Sequence, residues 1–322
     1  MRRTRADIQS LQVPVTEESL QHLFRQNSTL GMTVLLRPTE LPLKLIDETR
    51  SQLAAIFSAH PEYKHVYVIN AETPDESRGL NYIQFGENAR DASEVVVRIQ
   101  HTDSIDSDTT ALNEVYKPIS QDNPHLVELF EAGWSHQGEY SRMIAAVERL
   151  PDSPRLSDVI HTMPLTEYLT CVQQALIGVD ALHDAHLTYR DLDTGNLLVV
   201  EDSDTAAKRV VLHDIDLIGR HKKGKGTLQG KHATMPPELL NPTGYPEGQQ
   251  WIAGWTDMYA ARLLIAEKLG IKETDSNEPL PLPFPTLTSN AETPVHVRFC
   301  QSLQAISPTI LRANVSEPSL NK

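Results

Sequence analysis

One stretch, from Tyr189 to Asp216, limits what this chain can fold into more than any other. It reads Tyr189-Arg190-Asp191-Leu192-Asp193-Thr194-Gly195-Asn196, then an apolar run from Leu197 to Val200. A polar turn follows, then a second strand pattern from Arg209 to His213, then Asp214-Ile215-Asp216. The polar cluster separates a helical pattern before it from two short strands after it. One loop therefore carries an acid and an amide five positions apart, and two further acids close the second strand. Singly, Asp and Asn are ordinary turn residues between a helix and a strand. As the ordered set Arg190-Asp191, Asn196 and Asp214 they are hard to obtain by chance.

That set resembles the protein-kinase superfamily. Its catalytic loop reads His-Arg-Asp-Leu, three variable residues and Asn, and its metal motif is Asp-Phe-Gly. The resemblance implies Asp191 as the catalytic base beside Arg190, with Asn196 and Asp214 as ligands of Mg2+. The chemistry suits these residue types. Phosphoryl transfer needs metal held on the phosphates and an acceptor hydroxyl aimed in line, with little covalent work from the protein. Magnesium is a hard ion and takes oxygen ligands. Asp214 is preferred to Asp216 as the metal aspartate because Val210 and Leu212 then alternate as the family requires. The other register would turn Asp214 into the core unpaired, which is costly. The triplet is then Asp-Ile-Asp, with Asp216 in place of glycine, a form closest to the divergent fungal-type protein kinases.

Upstream, His65 to Asn70, Leu80 to Phe85 and Ser93 to Ile99 predict three successive antiparallel strands. They match the first three strands of the family's small lobe. The loop between the first two, Ala71 to Gly79, is acidic and lacks Gly-x-Gly-x-x-Gly. In the third strand Arg98 stands where the family has its phosphate-binding Lys, and Glu114 is the candidate pairing glutamate. Arg is not a drop-in for a compact ammonium. Pro124 to Leu129 resembles the entry to the fourth strand, and Met143 to Val147 the fifth. By the same resemblance, backbone groups of Glu148 to Leu150 would bind adenine, with Val147 at the back of the pocket. The expected nucleotide set is thus Arg98, Glu114, Val147, Glu148 and Leu150.

Downstream, Leu156 to His161 predicts a short helix and Leu165 to His183 a long one. The long helix would bury Tyr168, Val172, Leu176, Val179 and Leu182. His183 and His186 near its end suit capping better than catalysis. Gly219 to Lys225 is a basic, glycine-broken loop. Gly230 to Glu238 ends in Met-Pro-Pro-Glu and resembles the close of an activation segment, with Glu238 pairing to Arg312. Lys231 and Asp193 depart from the serine/threonine pattern, so the acceptor class does not carry over. Trp255-Thr256-Asp257 opens a helix with Met258, Ala261, Leu264 and Ile265 inward, and resembles the family's central helix, whose Asp holds the catalytic-loop backbone. Asn277 to Pro285 reads as irregular and Phe299 to Ala305 as a last helix.

The 322 residues suffice for one large or two modest domains, and 39% hydrophobic content is ordinary for a soluble protein. A net charge of −14 argues against nucleic acid or an anionic membrane as main partner. Two cysteines, Cys171 and Cys300, form no disulfide framework and read as reduced thiols. No apolar run reaches membrane-span length, and no apolar segment follows the basic Met1 to Arg5, so a cytoplasmic protein is expected.

The expected fold is α+β: a bilobal protein-kinase-like domain over 62–315, with a β-rich small lobe (62–147) and a helical large lobe (148–315). Residues 1–61 would be a helical extension, with helices from Thr16 to Gln26 and from Pro42 to Phe57, and 316–322 a tail. The expected function is transfer of the ATP γ-phosphate to a hydroxyl acceptor on a protein, with ATP and Mg2+ as cofactors. The alternative is a pseudokinase acting as a nucleotide-binding or scaffolding module on a protein partner. A small-molecule kinase of the aminoglycoside or choline type shares Asp-x4-Asn and the later Asp but matches poorly at Met-Pro-Pro-Glu.

Overall fold

The computed structural model describes residues 6–10, 18, 32–37, 51, 54–56, 58–59, 65–70, 81–91, 93–101, 109–137, 140–202, 205, 207–220 and 253–269. The architecture is mixed α+β, as expected. The chain divides into two compact units, Met1–Ser153 with His213–Arg220, and Pro154–Leu212 with His221–Lys322. The division falls at Ser153 rather than Val147, and the segment carrying Asp214 groups with the first unit.

The first unit is built on a seven-stranded sheet. Its strands are β1 (Ala6–Ser10), β2 (Met32–Arg37), β3 (Val66–Asn70), β4 (Asn81–Asn88), β5 (Glu94–His101), β6 (Leu129–Gln137) and β7 (Tyr140–Glu148). The order is β1-β2-β3-β4-β5-β7-β6. From β3 onward every pairing is antiparallel, in line with the three successive strands predicted. Side chains alternate across a strand, so Val95, Val97 and Ile99 share one face while Arg98 takes the other. The apolar face joins Tyr67, Ile69, Ile144 and Ala146 in a core that also takes Met32 and Val34.

Those last two residues correct an expectation. The segment 1–61 is not a purely helical extension, because β1 and β2 extend the sheet, pairing parallel with each other and with β3. Met32 to Leu35 are buried. A parallel pair needs a crossover, and the helical residues 51, 54–56 and 58–59 lie within that crossover, where a helix was predicted. Of the helix predicted from Thr16, only Glu18 is described, and it is helical.

β3 and β4 approach closely at Gly86, which pairs with Ile69. A Cβ there would run into the Val68 carbonyl oxygen and lie 2.7 Å from Ile69 Cγ2. Residues 109–122 are helical, but Leu112–Tyr116 is a π turn in which the Lys117 N–H reaches back to the Leu112 carbonyl. Pro118 accounts for it. Proline has no N–H to donate, and its ring would clash with the carbonyl four residues earlier, so the preceding turn widens.

In the second unit the long helix, Leu165–Asp184, buries Tyr168, Val172, Leu176, Val179 and Leu182 as predicted. Cys171 and Ala175 join that face. The helix packs on the hairpin Leu197–Glu201/Lys208–Leu212, where the Val210 N–H donates to Gln174 Oε1 at 2.9 Å. It packs also on the helix Ala253–Lys268, where the Tyr168 hydroxyl donates to the Leu264 carbonyl at 2.7 Å. Ala261, Leu264 and Ile265 are buried there as expected, while Met258 is only half-buried. Lys268 Nζ donates to the Met163 carbonyl at 2.5 Å and to the Ile160 carbonyl, closing the end of the short helix Leu156–Val159.

No helix among the described residues is long and apolar enough to cross a membrane. The expectations for the loop at 71–79, the basic residues 221–225, the segment 230–238, and everything from 277 onward, Cys300 and Arg312 included, lie outside the described residues.

Candidate functional site

Two constellations, one in each unit, gather Arg190, Asp191 and Asn196 on the one hand and Arg98 and Asp214 on the other. The first lies in the second unit, where Tyr189 to Asn196 is held from below by one carboxylate. Asp257 is fully buried. It accepts the Tyr189 N–H at 2.9 Å and the Arg190 N–H at 2.7 Å, and His183 Nε2 lies 2.8 Å away. A buried carboxylate is tolerable only when donors surround it, and here three do. Its expected role on the loop backbone is therefore seen in the geometry. The helix begins at Ala253, earlier than predicted, so Asp257 lies beyond the first turn. Hydrogen bonds, and not the helix N-terminus, account for its placement. His183 is part of this clamp as well as a helix-end residue.

Arg190 has φ of 72°. A non-glycine residue in the left-handed region is strained by about 1–3 kcal/mol and persists only where its surroundings over-determine it. The two N–H bonds to Asp257 supply that constraint at the residue before Asp191. Past Asp191, Asp193 caps a 3-10 turn, Thr194–Asn196, by accepting the Gly195 N–H at 2.6 Å. Asn196 Nδ2 donates to the Asp191 carbonyl at 2.8 Å and to Asp191 Oδ2 at 2.7 Å. The acid and the amide predicted from their five-residue spacing are thus joined directly. With its nitrogen committed to Asp191, the Asn196 amide oxygen is the atom left for a hard cation. Thr194 Oγ1 reaches Glu267 at 3.3 Å, which ties the loop to the same helix a second time.

The second constellation lies in the first unit and is centred on Arg98, whose side chain is 8% exposed. Arg98 Nε and Nη2 bond Asp216 Oδ1 and Oδ2 at 3.1 and 3.2 Å, a two-bond fork on one carboxylate. Nη2 also lies 2.8 Å from Asp214 Oδ2, and Nη1 donates to the His213 carbonyl at 3.4 Å. Burial alone would lower the Arg98 pKa, but the Asp216 and Asp214 carboxylates outweigh it and hold the guanidinium above its ordinary value. Asp214 Oδ1 accepts the Asp216 N–H at 3.2 Å. Asp214 is the more open of the two acids, with its side chain 23% exposed against 7% for Asp216.

Two expectations change here. Glu114 does not meet Arg98. It is 56% exposed and lies 3.7 Å from Arg220. The preceding residue explains this. Asn113 Nδ2 donates to the Ala132 carbonyl at 2.7 Å and its Oδ1 accepts the Ala132 N–H at 2.8 Å. With Asn113 clamped to β6 through the π turn, the next side chain is carried round the helix away from the sheet. Asp216 is the residue that sequence reasoning missed. It stands where the resemblance has a glycine, and it is the main partner of Arg98. The signal was present, because a strand arginine on a buried sheet needs a carboxylate, and an acid at an unexpected position is where to look for it.

Val147 is buried at 3% exposure in β7, paired with Val96. Glu148 and Leu150 are half-buried at and beyond the strand end, and the Glu148 N–H donates to the Glu128 carbonyl at 2.9 Å. Arg149 lies 5.1 Å over the Phe85 ring and pairs with Glu94 at 3.1 Å. Taken each in its own unit, the Asp214 carboxylate and the Asn196 amide carbonyl are hard oxygen donors of the kind magnesium takes. No family model matches the chain.

Proposed function

We propose that this protein is an atypical ATP- and magnesium-dependent phosphotransferase of protein-kinase type, acting on a hydroxyl acceptor carried by a protein. The observation that carries the reading is the Asp257 clamp. A fully buried carboxylate, with a histidine behind it, holds the two backbone N–H groups immediately before Asp191 and keeps Arg190 in a strained conformation. Strain of this kind, held by over-determined surroundings, collects at working sites. The Asp191–Asn196 bond and the antiparallel run β3 to β7 support the same bilobal, kinase-like reading.

In this reading Asp191 orients and deprotonates the acceptor hydroxyl, since a carboxylate on a fixed loop can take a proton within hydrogen-bond reach. Arg190 sets the loop conformation through its backbone. Asn196 presents its amide oxygen, and Asp214 a carboxylate, to magnesium. When bound, magnesium neutralises charge developing on the phosphates. Arg98 brings a fixed positive charge to the phosphates, and Val147, Glu148 and Leu150 line the adenine site.

One observation favours the alternative of a nucleotide-binding or scaffolding pseudokinase: Asp214 Oδ2 is already in an ion pair with Arg98. Thermal unfolding with and without ATP and magnesium, followed by a phosphate-transfer assay, separates the two. A ligand that binds only the native state stabilises it by about 2.7 kcal/mol at a hundredfold excess over its dissociation constant. We expect a magnesium-dependent rise in Tm that Asp214→Asn loses. Asp191→Asn should keep that rise while phosphate transfer to protein is abolished. No rise at millimolar nucleotide would leave the scaffold reading in its place.

A further inference from the structure

We propose that Asp216 is the positioning residue for Arg98, so that Asp214 can give up its share of the guanidinium to a metal ion without releasing Arg98. This rests on the nucleotide-binding reading above and deepens it.

The two acids hold Arg98 differently. Asp216 takes two nitrogens on two oxygens, at 3.1 and 3.2 Å, with its side chain 7% exposed. Asp214 takes one nitrogen on one oxygen, at 2.8 Å, and is the more open. A fork on a carboxylate fixes the plane of the guanidinium as well as its position, whereas a single contact fixes neither. Removing one partner of a buried ion pair leaves an uncompensated charge. If Asp214 were the only acid, occupying it with a cation would strand Arg98 in the same step. With Asp216 present, Arg98 keeps a full carboxylate of its own. Glu114 does not do this work, being turned to solvent by the Asn113 clamp. A glycine at 216, as the kinase resemblance would have it, would leave Arg98 with only the shared acid. The arginine in β5 and the acid at 216 are therefore one device.

The test uses the full chain and two readouts. The first needs no ligand: Tm values for Arg98→Gln, Asp216→Asn, Glu114→Gln and the two double variants with Arg98→Gln form two mutant cycles. We expect the Arg98 and Asp216 substitutions to be strongly non-additive and the Arg98 and Glu114 substitutions to add. The second is Mg-ATP affinity of the folded proteins by calorimetry. Loss of a charge-assisted anchor should weaken binding by about tenfold or more in Asp216→Asn, and Glu114→Gln should leave it unchanged. A purely structural Asp216 would lower Tm without touching the affinity of the folded fraction, and that result overturns the proposal. So does a Glu114→Gln variant that couples to Arg98 or loses affinity as Asp216→Asn does. Should Asp216→Asn not fold, Asp216→Glu takes its place: it keeps the charge but moves the fork, and unchanged Mg-ATP affinity without coupling to Arg98→Gln overturns the proposal. Should the unaltered protein bind no Mg-ATP, the phosphotransferase reading fails, and the ligand-free cycles decide separately which acid anchors Arg98.

Discussion

At the scale of single residues, the most consequential side chain is Asp257. Truncation to alanine would leave the N–H groups of Tyr189 and Arg190 buried without their acceptor. An orphaned buried donor costs about 1–3 kcal/mol. Asp257→Ala is therefore expected to lower the unfolding free energy by about 2–4 kcal/mol, read from the urea midpoint. An unchanged midpoint would mean the clamp holds nothing that water cannot. Cys171 contrasts with it. Burial pushes its thiol up to about 11, and its Sγ lies 3.8 Å from Met163 Sδ. The neutral thiol is a packing atom, because the thiolate is the nucleophile. This agrees with its reading from the helical pattern.

At the scale of elements, the sheet of the first unit depends on one close approach. Gly86→Ala would drive a methyl into the backbone of β3. Backbone cannot rotate aside as a side chain can, so the strands must part. The substitution is expected to cost at least about 1–3 kcal/mol, as overpacking does. Thermal denaturation checks it, and a variant as stable as the parent would show that β3 and β4 slide freely. The π turn Leu112–Tyr116 sets the direction of Glu114. Pro118 widens the turn before it, Asn113 locks that turn to β6, and Glu114 is left facing out. Glu114 as the candidate pairing glutamate could be read from the chain. Its direction could not, because direction follows from a local departure from helical geometry.

At the scale of the whole molecule, the pH dependence of stability should carry a signature of Glu131. This acid on β6 is 8% exposed, with Lys117 Nζ at 3.0 Å and His65 Nε2 at 3.3 Å. Burial raises its pKa above the ordinary 4.5, with Lys117 opposing. Between the unfolded and the raised folded value the native state holds more protons than the unfolded one. Stability from this group is then fully present below about pH 4.5 and is lost as pH rises through the folded value. Glu131→Gln is expected to remove that decline, so unfolding midpoints across pH 4 to 7 should fall less steeply than in the parent. An identical slope would show that Lys117 compensates Glu131 in full.

Elements whose information is local could be read directly from the chain order. The alternation of β3 to β5, the buried stripe of the long helix, and the loop from Tyr189 to Asn196 are set by residues within a few positions of one another. The Asp191–Asn196 pair belongs here, since its spacing alone brings acid and amide into one turn. Asp257 was legible too, through resemblance rather than spacing. The tertiary structure alone decided three things. β2 joins the sheet because its apolar run finds β3 some thirty residues on, and parallel pairing leaves no mark in the connecting sequence. Arg98 chose Asp216 over Glu114, across 118 positions, through desolvation that depends on what packs around it. Of the two acids flanking Ile215, Asp216, in the place of the family's glycine, is the more buried. A charge in a sheet takes whichever carboxylate folding brings to it, and the chain order does not say which.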